Sequence, residues 1–77
     1  MAVFYFDLFD GRQQRDETGQ QLADMPQVCF EIRRTLADLV LHGTGSLSAI
    51  LHVRDKDNQT VVTASISLAF ERPETHH

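Results

Sequence analysis

The alternation of side chains near the end of the chain constrains the fold more than any other feature of the sequence. Between Thr60 and Phe70, apolar residues occupy every second position, and most positions between them hold threonine, serine or alanine. A period of two is typical of a β-strand with one buried face and one solvated face, which antiparallel sheets provide. A second strand-like segment, Leu47–Arg54, comes before it, and residues 55–58 between the two carry turn signals. We therefore expect a β-hairpin.

The N-terminal segment Ala2–Phe9 also predicts a strand, because it is rich in aromatic residues and is followed by the turn signal Asp10-Gly11. Alternation places its side chains on two opposite faces. The set expected to face the core is Phe4, Phe6 and Leu8, and the set expected to face away is Val3, Tyr5, Asp7 and Phe9. The polar residues 12–15 predict at most a short, exposed edge strand before a second turn at 16–19.

One amphipathic helix is predicted between these strands. Asp24 can cap its first turn, Pro26 suits the first helical positions and Gln27 completes a variant of the capping box, so the helix should begin near Met25. Gly43 is expected to end it in the left-handed conformation. Apolar residues recur at helical spacing along one side, at Val28, Cys29, Ile32, Leu36, Leu39 and Val40.

Together these elements predict a single α+β domain over residues 1–71, with the order ββαββ and one helix packed on a small, mainly antiparallel sheet of three to four strands. The expected core consists of Phe4, Phe6, Leu8, Ile32, Leu36, Leu39, Leu51, Val53, Ile66 and Leu68. One face of the sheet stays open, because a single helix covers only the other face. Residues 72–77 have no periodic pattern and are expected to form a disordered tail, in which His76-His77 is either native or the remnant of a purification tag.

Three segments resemble a family of very short bacterial proteins of unknown function, namely residues 4–11 (FYFDLFDG), 16–24 (DETGQQLAD) and 53–57 (VRDKD). Members of that family share an aromatic first strand ending in Asp-Gly, an Asp-x-x-Gly-x-x-Leu-x-Asp segment that enters a helix, and a Val-x-Asp-x-Asp turn between two final strands. This sequence differs at Met25-Pro26, where the family has an alanine-rich turn, and at Asn58, where it often has glycine. Asparagine also tolerates positive φ, so the turn is still expected. The resemblance implies a fold but no activity for any residue.

Charge and composition disfavour several classes of function. Eleven acidic residues against seven basic ones give a net charge of -4, which disfavours indiscriminate binding to nucleic acid or to anionic membranes. No segment approaches the roughly 20 consecutive apolar residues of a membrane-spanning helix. The single cysteine, Cys29, cannot form an intramolecular disulfide, and a reducing cytoplasm is the expected location.

Side chains capable of chemistry are few, and structural roles explain them. Asp10, Asp16, Asp24 and Asp55 each lie beside a turn or a helix start, where an aspartate accepts backbone N–H bonds, and this explains them better than a metal or acid–base site. Cys29 lies on the apolar side of the helix and is expected to be a buried thiol rather than a nucleophile. No histidine or cysteine pair has the spacing of a metal site. We therefore expect no metal, no cofactor, no catalytic residue and no enzymatic activity.

The surface expected to carry function is the open face of the sheet, with a second contribution from the flank of the helix. The contact residues predicted there are Tyr5, Phe9, Ile50 and His52 on the sheet, and Phe30 and Leu41 on the helix. We predict a protein-interaction or regulatory accessory domain. Its partner would be an unknown protein or, in a homodimer, a second copy of the chain.

Two alternative functions remain open from the sequence. One is a nucleic-acid-binding module that stacks bases on the aromatic residues of the open face, flanked by Arg12, Arg15 and Arg54. The other is a small-ligand binder or an enzyme, which needs a concave pocket with convergent polar groups.

Overall fold

A computed structural model describes residues 1–73 of the chain, and this part contains one helix and five strands. The elements are β1 (Ala2–Phe9), β2 (Gln13–Gln14), β3 (Gln20–Leu22), α1 (Met25–His42), β4 (Leu47–Arg54) and β5 (Thr60–Leu68). The strands form an antiparallel sheet with the order β2-β1-β4-β5, and β3 also pairs with β1. The predicted α+β fold, with one helix packed on a mainly antiparallel sheet, is confirmed.

The short strand β3 was not predicted. It pairs with the first half of β1, while β2 pairs with its end. Phe4 and Leu8 are four residues apart in β1, whereas their partners Gln20 and Gln14 are six residues apart. Two additional residues therefore loop out between β2 and β3. The sequence of β3 is polar and lacks alternation, and its strand conformation comes from pairing with β1 rather than from its own propensity.

The start of α1 follows the predicted capping pattern. The Gln27 backbone N–H donates to Asp24 Oδ1 over 3.0 Å, and the Gln27 side-chain oxygen accepts from the Ala23 N–H over 2.8 Å. The predicted left-handed end at Gly43 is wrong. Gly43 has a φ of -92°, which any residue can adopt, and the chain turns into the left-handed region only at Gly45, where φ is 77°.

The core lies between α1 and the face of the sheet that carries Phe6. The fully or nearly buried residues are Phe6, Leu22, Val28, Ile32, Leu36, Ala49, Leu51 and Val53, and Phe4, Leu8, Val62, Ala64 and Ile66 pack partly buried against this group. Most of the predicted core is therefore confirmed. Leu39 and Leu68 are only half-buried, because they lie near the ends of α1 and β5. Each fully buried Val or Leu contributes roughly 1.5–3 kcal/mol to the stability of the fold.

The prediction that Cys29 is buried is wrong, because its side chain is exposed. The helix contacts the sheet along Val28, Ile32 and Leu36, which are spaced four residues apart and form one narrow line. Each residue step rotates the side chain by about 100° around the helix axis, so Cys29 is turned away from that line.

The β4–β5 hairpin closes through a turn held by Asp55. Its side chain accepts the backbone N–H groups of Asp57 and Gln59 over 2.9 and 3.0 Å. Asn58 adopts a φ of 63°, as expected for a residue that replaces glycine in this turn. Most of the predicted disordered tail, including His76-His77, lies outside the described residues. No helix within residues 1–73 is long and apolar enough to cross a membrane.

Candidate functional site

The face of the sheet opposite α1 carries an exposed apolar centre. Phe9 on β1 and Ile50 on β4 are directly paired across the two strands, and they are 43% and 37% exposed. We define the open face as the set Tyr5, Phe9, Ile50, His52, Thr63, Ser65 and Ser67. The three hydroxyl-bearing residues lie on β5 and are exposed. The open face therefore has an apolar centre bordered on one side by hydroxyl groups.

Tyr5 and His52 are half-buried members of the open face. The Tyr5 ring lies against the Arg54 guanidinium, with 4.6 Å between the guanidinium carbon and the ring centroid. His52 Nδ1 lies 3.1 Å from Thr63 Oγ1, which is within hydrogen-bond distance. Both side chains are thus held by neighbours, so little side-chain freedom remains to be lost when another molecule binds there.

An ion pair between Asp7 and Arg54 lies beside Tyr5. Asp7 was predicted to face away from the core, and it does so, but only 7% of it is exposed. Arg54 Nε donates to Asp7 Oδ2 over 2.6 Å, and Arg54 Nη2 donates to the backbone carbonyl of Asp16 over 2.8 Å. The guanidinium that was expected to flank a nucleic-acid platform is therefore occupied within the protein.

The segment that buries this ion pair is the turn at residues 16–19. The Asp16 backbone N–H donates to Asp7 Oδ1 over 2.8 Å, and Asp16 Oδ2 accepts the backbone N–H of Phe6 over 3.0 Å. Asp16 Oδ1 also accepts the N–H groups of Thr18 and Gly19. The Asp16 carboxylate thus supplies the acceptor that the Phe6 N–H of β1 lacks where the edge strand is interrupted, and it also holds its own turn.

The turn requires glycine at position 19. Gly19 has a φ of 76°, and a Cβ atom there would lie 2.8 Å from Val3 Cγ1 and 2.9 Å from Tyr5 Cε2. Both the backbone conformation and the lack of space exclude a larger side chain. Asp16 and Gly19 belong to the Asp-x-x-Gly segment of the family-like pattern, so that part of the pattern has a structural explanation.

The carboxylates of buried Asp7 and half-buried Asp16 are stabilised in their ionised forms. Burial by itself would raise the pKa of Asp7, but the hydrogen bonds from Arg54 and from the Asp16 N–H, together with the positive charges of Arg54 and Arg15, lower that pKa below its ordinary value. Burial would likewise raise the pKa of Asp16, but the N–H groups of Phe6, Gly19 and Thr18 and the charge of Arg54 lower it. A carboxyl group that acts as a general acid near neutral pH needs a raised pKa, which is the opposite of what occurs here.

The remaining predicted turn carboxylates bind backbone or side-chain donors. Asp24 caps α1 and Asp55 holds the hairpin turn, as predicted. Asp10 differs, because its Oδ1 accepts from the side-chain amide of Gln14 over 3.4 Å rather than from a backbone N–H.

The predicted contact residues on the helix form a separate surface. Phe30 and Leu41 are 62% and 77% exposed, and they belong to α1, which covers the opposite side of the sheet from the open face. The six predicted contact residues therefore lie on two surfaces that one small ligand cannot bridge.

The family model described as a domain of unknown function, DUF6894, matches residues 3–67. The chain belongs to this family. The match extends from β1 almost to the end of β5, and it confirms the expected membership of a family of unknown function. Neither a curated protein nor a solved structure matches the chain.

This DUF6894 domain has a shallow depression at the C-terminal end of α1. It measures about 350 Å³ and is lined by Leu8, Thr35, Asp38, Leu39, His42 and Gly43. His42 Nδ1 lies 3.1 Å from Asp38 Oδ1, but both side chains are mostly in solvent. Within residues 1–73, no group of three or more His, Cys, Asp or Glu side chains is placed to hold a metal ion.

The Asp7–Arg54 pair of the DUF6894 domain was not predicted. Its only sequence signal is that both residues fall on the same face of strands that can be neighbours. Val61, an exposed apolar residue of β5, also lies outside the predicted contact residues. Recognising the Asp7–Arg54 pair requires knowledge that β1 pairs with β4.

Proposed function

We propose that the protein is an interaction domain that binds another protein through the open face and catalyses no reaction itself. The observation that carries the proposal is the exposed pair Phe9 and Ile50, which lie opposite each other on the two inner strands β1 and β4. Protein interfaces characteristically combine an apolar or aromatic centre with a polar rim, and the hydroxyl groups of β5 supply such a rim.

The charge of the open face favours a protein over a nucleic acid as the partner. The positive charge of Arg54 is balanced by Asp7, and the whole chain carries a net charge of -4. Nucleic-acid binding draws its affinity largely from cations that contact phosphates, and the open face presents no lysine or arginine for this purpose. An uncharged surface with an exposed aromatic residue suits contact with the apolar surface of a protein.

We also place this interaction in the cytoplasm. The single cysteine, Cys29, is a free and exposed thiol. A free thiol on the surface fits a reducing compartment, where oxidation to a disulfide between molecules is suppressed.

The proposal can be tested with the double variant Phe9→Ser/Ile50→Ser. Tyr5 is left unchanged, because its ring contacts Arg54 and borders Gly19, so that its loss would disturb the fold. Immobilised wild-type protein and variant are exposed to nuclease-treated lysate, and the proteins retained are identified by mass spectrometry. We expect a partner protein that the wild type retains and the double variant loses. When this partner is purified and titrated, its binding to the double variant should be weaker by about 2 kcal/mol or more, which is roughly thirtyfold in affinity.

The matched control is Phe30→Ser, which removes an even more exposed aromatic side chain from the helix side. This control should retain the partner. Binding that persists in a double variant with an unchanged circular dichroism spectrum would refute the proposal. Recovery that depends on intact nucleic acid would favour the nucleic-acid alternative instead.

A further inference from the structure

The edge of the sheet at β5 is free and regular from Val62 to Leu68, and its one irregularity is at Val61, where the register against β4 shifts. β5 pairs with β4 along one side, and within residues 1–73 no segment pairs with its other side. Its nine residues, TVVTASISL, include no charged residue and no proline. Natural proteins usually protect such edges with charges, prolines, bulges or short strands, since a free edge is a template for pairing with another chain.

The opposite edge of the same sheet does have this protection. It is formed by β2 and β3, which are two and three residues long and are separated by the Asp16 turn. The two edges therefore differ in their capacity to accept an additional strand.

The backbone groups that point to the free edge can be assigned from the pairing pattern. In an antiparallel sheet, the N–H and C=O of one residue point to the same side, and successive residues alternate. The Phe6 N–H binds Asp16 and thus points away from β4, so its neighbours in β1 bond to β4. Carrying the alternation through the regular part of the β4–β5 register leaves three residues of β5 whose backbone groups point outward, namely Thr63, Ser65 and Ser67.

We propose that two copies of the chain form a homodimer by pairing β5 with β5 in antiparallel orientation, with the two-fold axis at Ala64. This register pairs the regular residues 62–66 of one copy with the same residues of the other, and the irregularity at Val61 lies beyond them. The outward-pointing residues then meet one another, because Thr63 lies opposite the partner's Ser65 and Ser65 lies opposite the partner's Thr63. Each such pair exchanges two N–H···O bonds.

The side chains of β5 are complementary to themselves in this register. On the side of the core, half-buried Val62 lies beside the partner's Ile66, and Ala64 lies beside the partner's Ala64, so apolar surface at the rim of one core covers that of the other. On the other side, threonine and serine hydroxyls face one another. Each copy carries a net charge of -4, but β5 itself is uncharged, so no like charges meet along the strand.

This inference goes beyond the proposed function, because the dimer leaves the open face free. A two-fold axis perpendicular to the sheet keeps both helices on one side and both open faces on the other. Phe9 and Ile50 belong to β1 and β4 and do not take part in the β5 contact. The edge contact and the face contact can therefore be tested separately.

The direct test is residue-specific amide hydrogen exchange of the wild-type chain by NMR, together with light scattering from micromolar to millimolar concentration. In a monomer, the exchange rates along β5 alternate, since Thr63 and Ser65 have unpaired N–H groups while that of Ala64 bonds to β4. In the proposed dimer, Thr63 and Ser65 exchange as slowly as Ala64, and the mass is twice that of the chain. A monomeric mass at millimolar concentration, or a dimer that keeps the alternation, overturns the inference.

The variant Ser65→Pro provides a second test. Proline removes an outward N–H and blocks the partner strand, but it leaves the bonds to β4 in place. We expect the mass to fall from twice that of the chain to that of the chain, with an unchanged circular dichroism spectrum. If Ser65→Pro does not fold, Ser65→Lys takes its place, and Ser48→Lys is its control, because Ser48 lies on the same face within the interior strand β4.

The outcomes separate the two proposals. A folded Ser65 variant that remains dimeric overturns the edge contact. If Phe9→Ser/Ile50→Ser dissociates the dimer and the Ser65 variant does not, the open face is the self-association surface and the edge proposal is wrong. If only the Ser65 variant dissociates it, the edge contact is supported independently of any partner on the open face.

Discussion

Replacing Asp7 with alanine is the perturbation that tests the structural reasoning most directly. The Asp7 carboxylate accepts from Arg54 Nε over 2.6 Å, from Arg54 Nη2 over 3.3 Å and from the Asp16 N–H over 2.8 Å. Alanine leaves Arg54 Nε and the Asp16 N–H without an acceptor at a site that excludes most water, and Arg54 Nη2 keeps only the backbone carbonyl of Asp16. The loss of one partner of a buried ion pair costs about 3–5 kcal/mol, mainly because the other charge stays desolvated.

That cost is large compared with the stability of so short a chain. At the usual 0.05–0.15 kcal/mol per residue, a protein of 77 residues has a free energy of unfolding of roughly 4–12 kcal/mol. Asp7→Ala is therefore expected to remove about a quarter of it or more. Asp7→Asn keeps one acceptor oxygen but no charge, so its loss of stability should lie between zero and that of Asp7→Ala.

Urea denaturation followed by circular dichroism measures this effect. With a urea m-value of about 1 kcal/mol/M, the midpoint should fall by roughly 3 M or more in Asp7→Ala, or the variant should be unfolded without urea. The control is Asp57→Ala, which removes an exposed carboxylate in the hairpin turn and should change stability by no more than about 0.5 kcal/mol. A loss of less than about 1 kcal/mol in Asp7→Ala, at an unchanged m-value, would show that the pair does not support the fold as described.

Two further predictions concern the same region. Gly19→Ala should lower the stability of the fold more than Gly11→Ala does, as measured by thermal denaturation. Both glycines have positive φ, but only a Cβ at position 19 would lie against Val3 and Tyr5. Equal losses of stability in the two variants would contradict this. Because the pKa values of Asp7 and Asp16 are lowered in the folded state, ionisation of these two groups stabilises the fold. This stabilisation is complete above the unfolded-state pKa of about 3.9, and it is lost as the pH falls through the lower pKa values of the folded state. The free energy of unfolding should thus decrease below about pH 4, and the decrease should be shallower in Asp7→Asn than in the wild type. Parallel pH profiles for the two proteins would show that the ionisation of Asp7 does not stabilise the fold.

Local signals in the sequence predicted those parts of the structure whose interactions span only a few residues. The cap formed by Asp24, the turn held by Asp55 and the positive φ of Asn58 depend on neighbours within four positions, so they can be recognised without knowledge of the fold. The alternation in Thr60–Leu68 is equally local, and it identified β5.

The features that the sequence did not predict depend on residues far apart in the chain. Asp7 was assigned to the correct side of β1, but its burial requires Arg54, 47 residues away, and the turn around Asp16. The strand β3 exists because β1 is beside it. Cys29 shows a different error, because the apolar side of the helix is broader than the line that actually contacts the sheet.

The interruption between β2 and β3 also determines how far strand-mediated association can proceed. Growth of a fibre by strand addition requires every molecule to offer two edges that can pair, so that each added copy regenerates a site for the next. Here one edge is divided into two short pieces by the Asp16 turn, with two residues looped out between them. A molecule that uses β5 has no second continuous edge, so association through strands terminates at a closed pair and does not propagate.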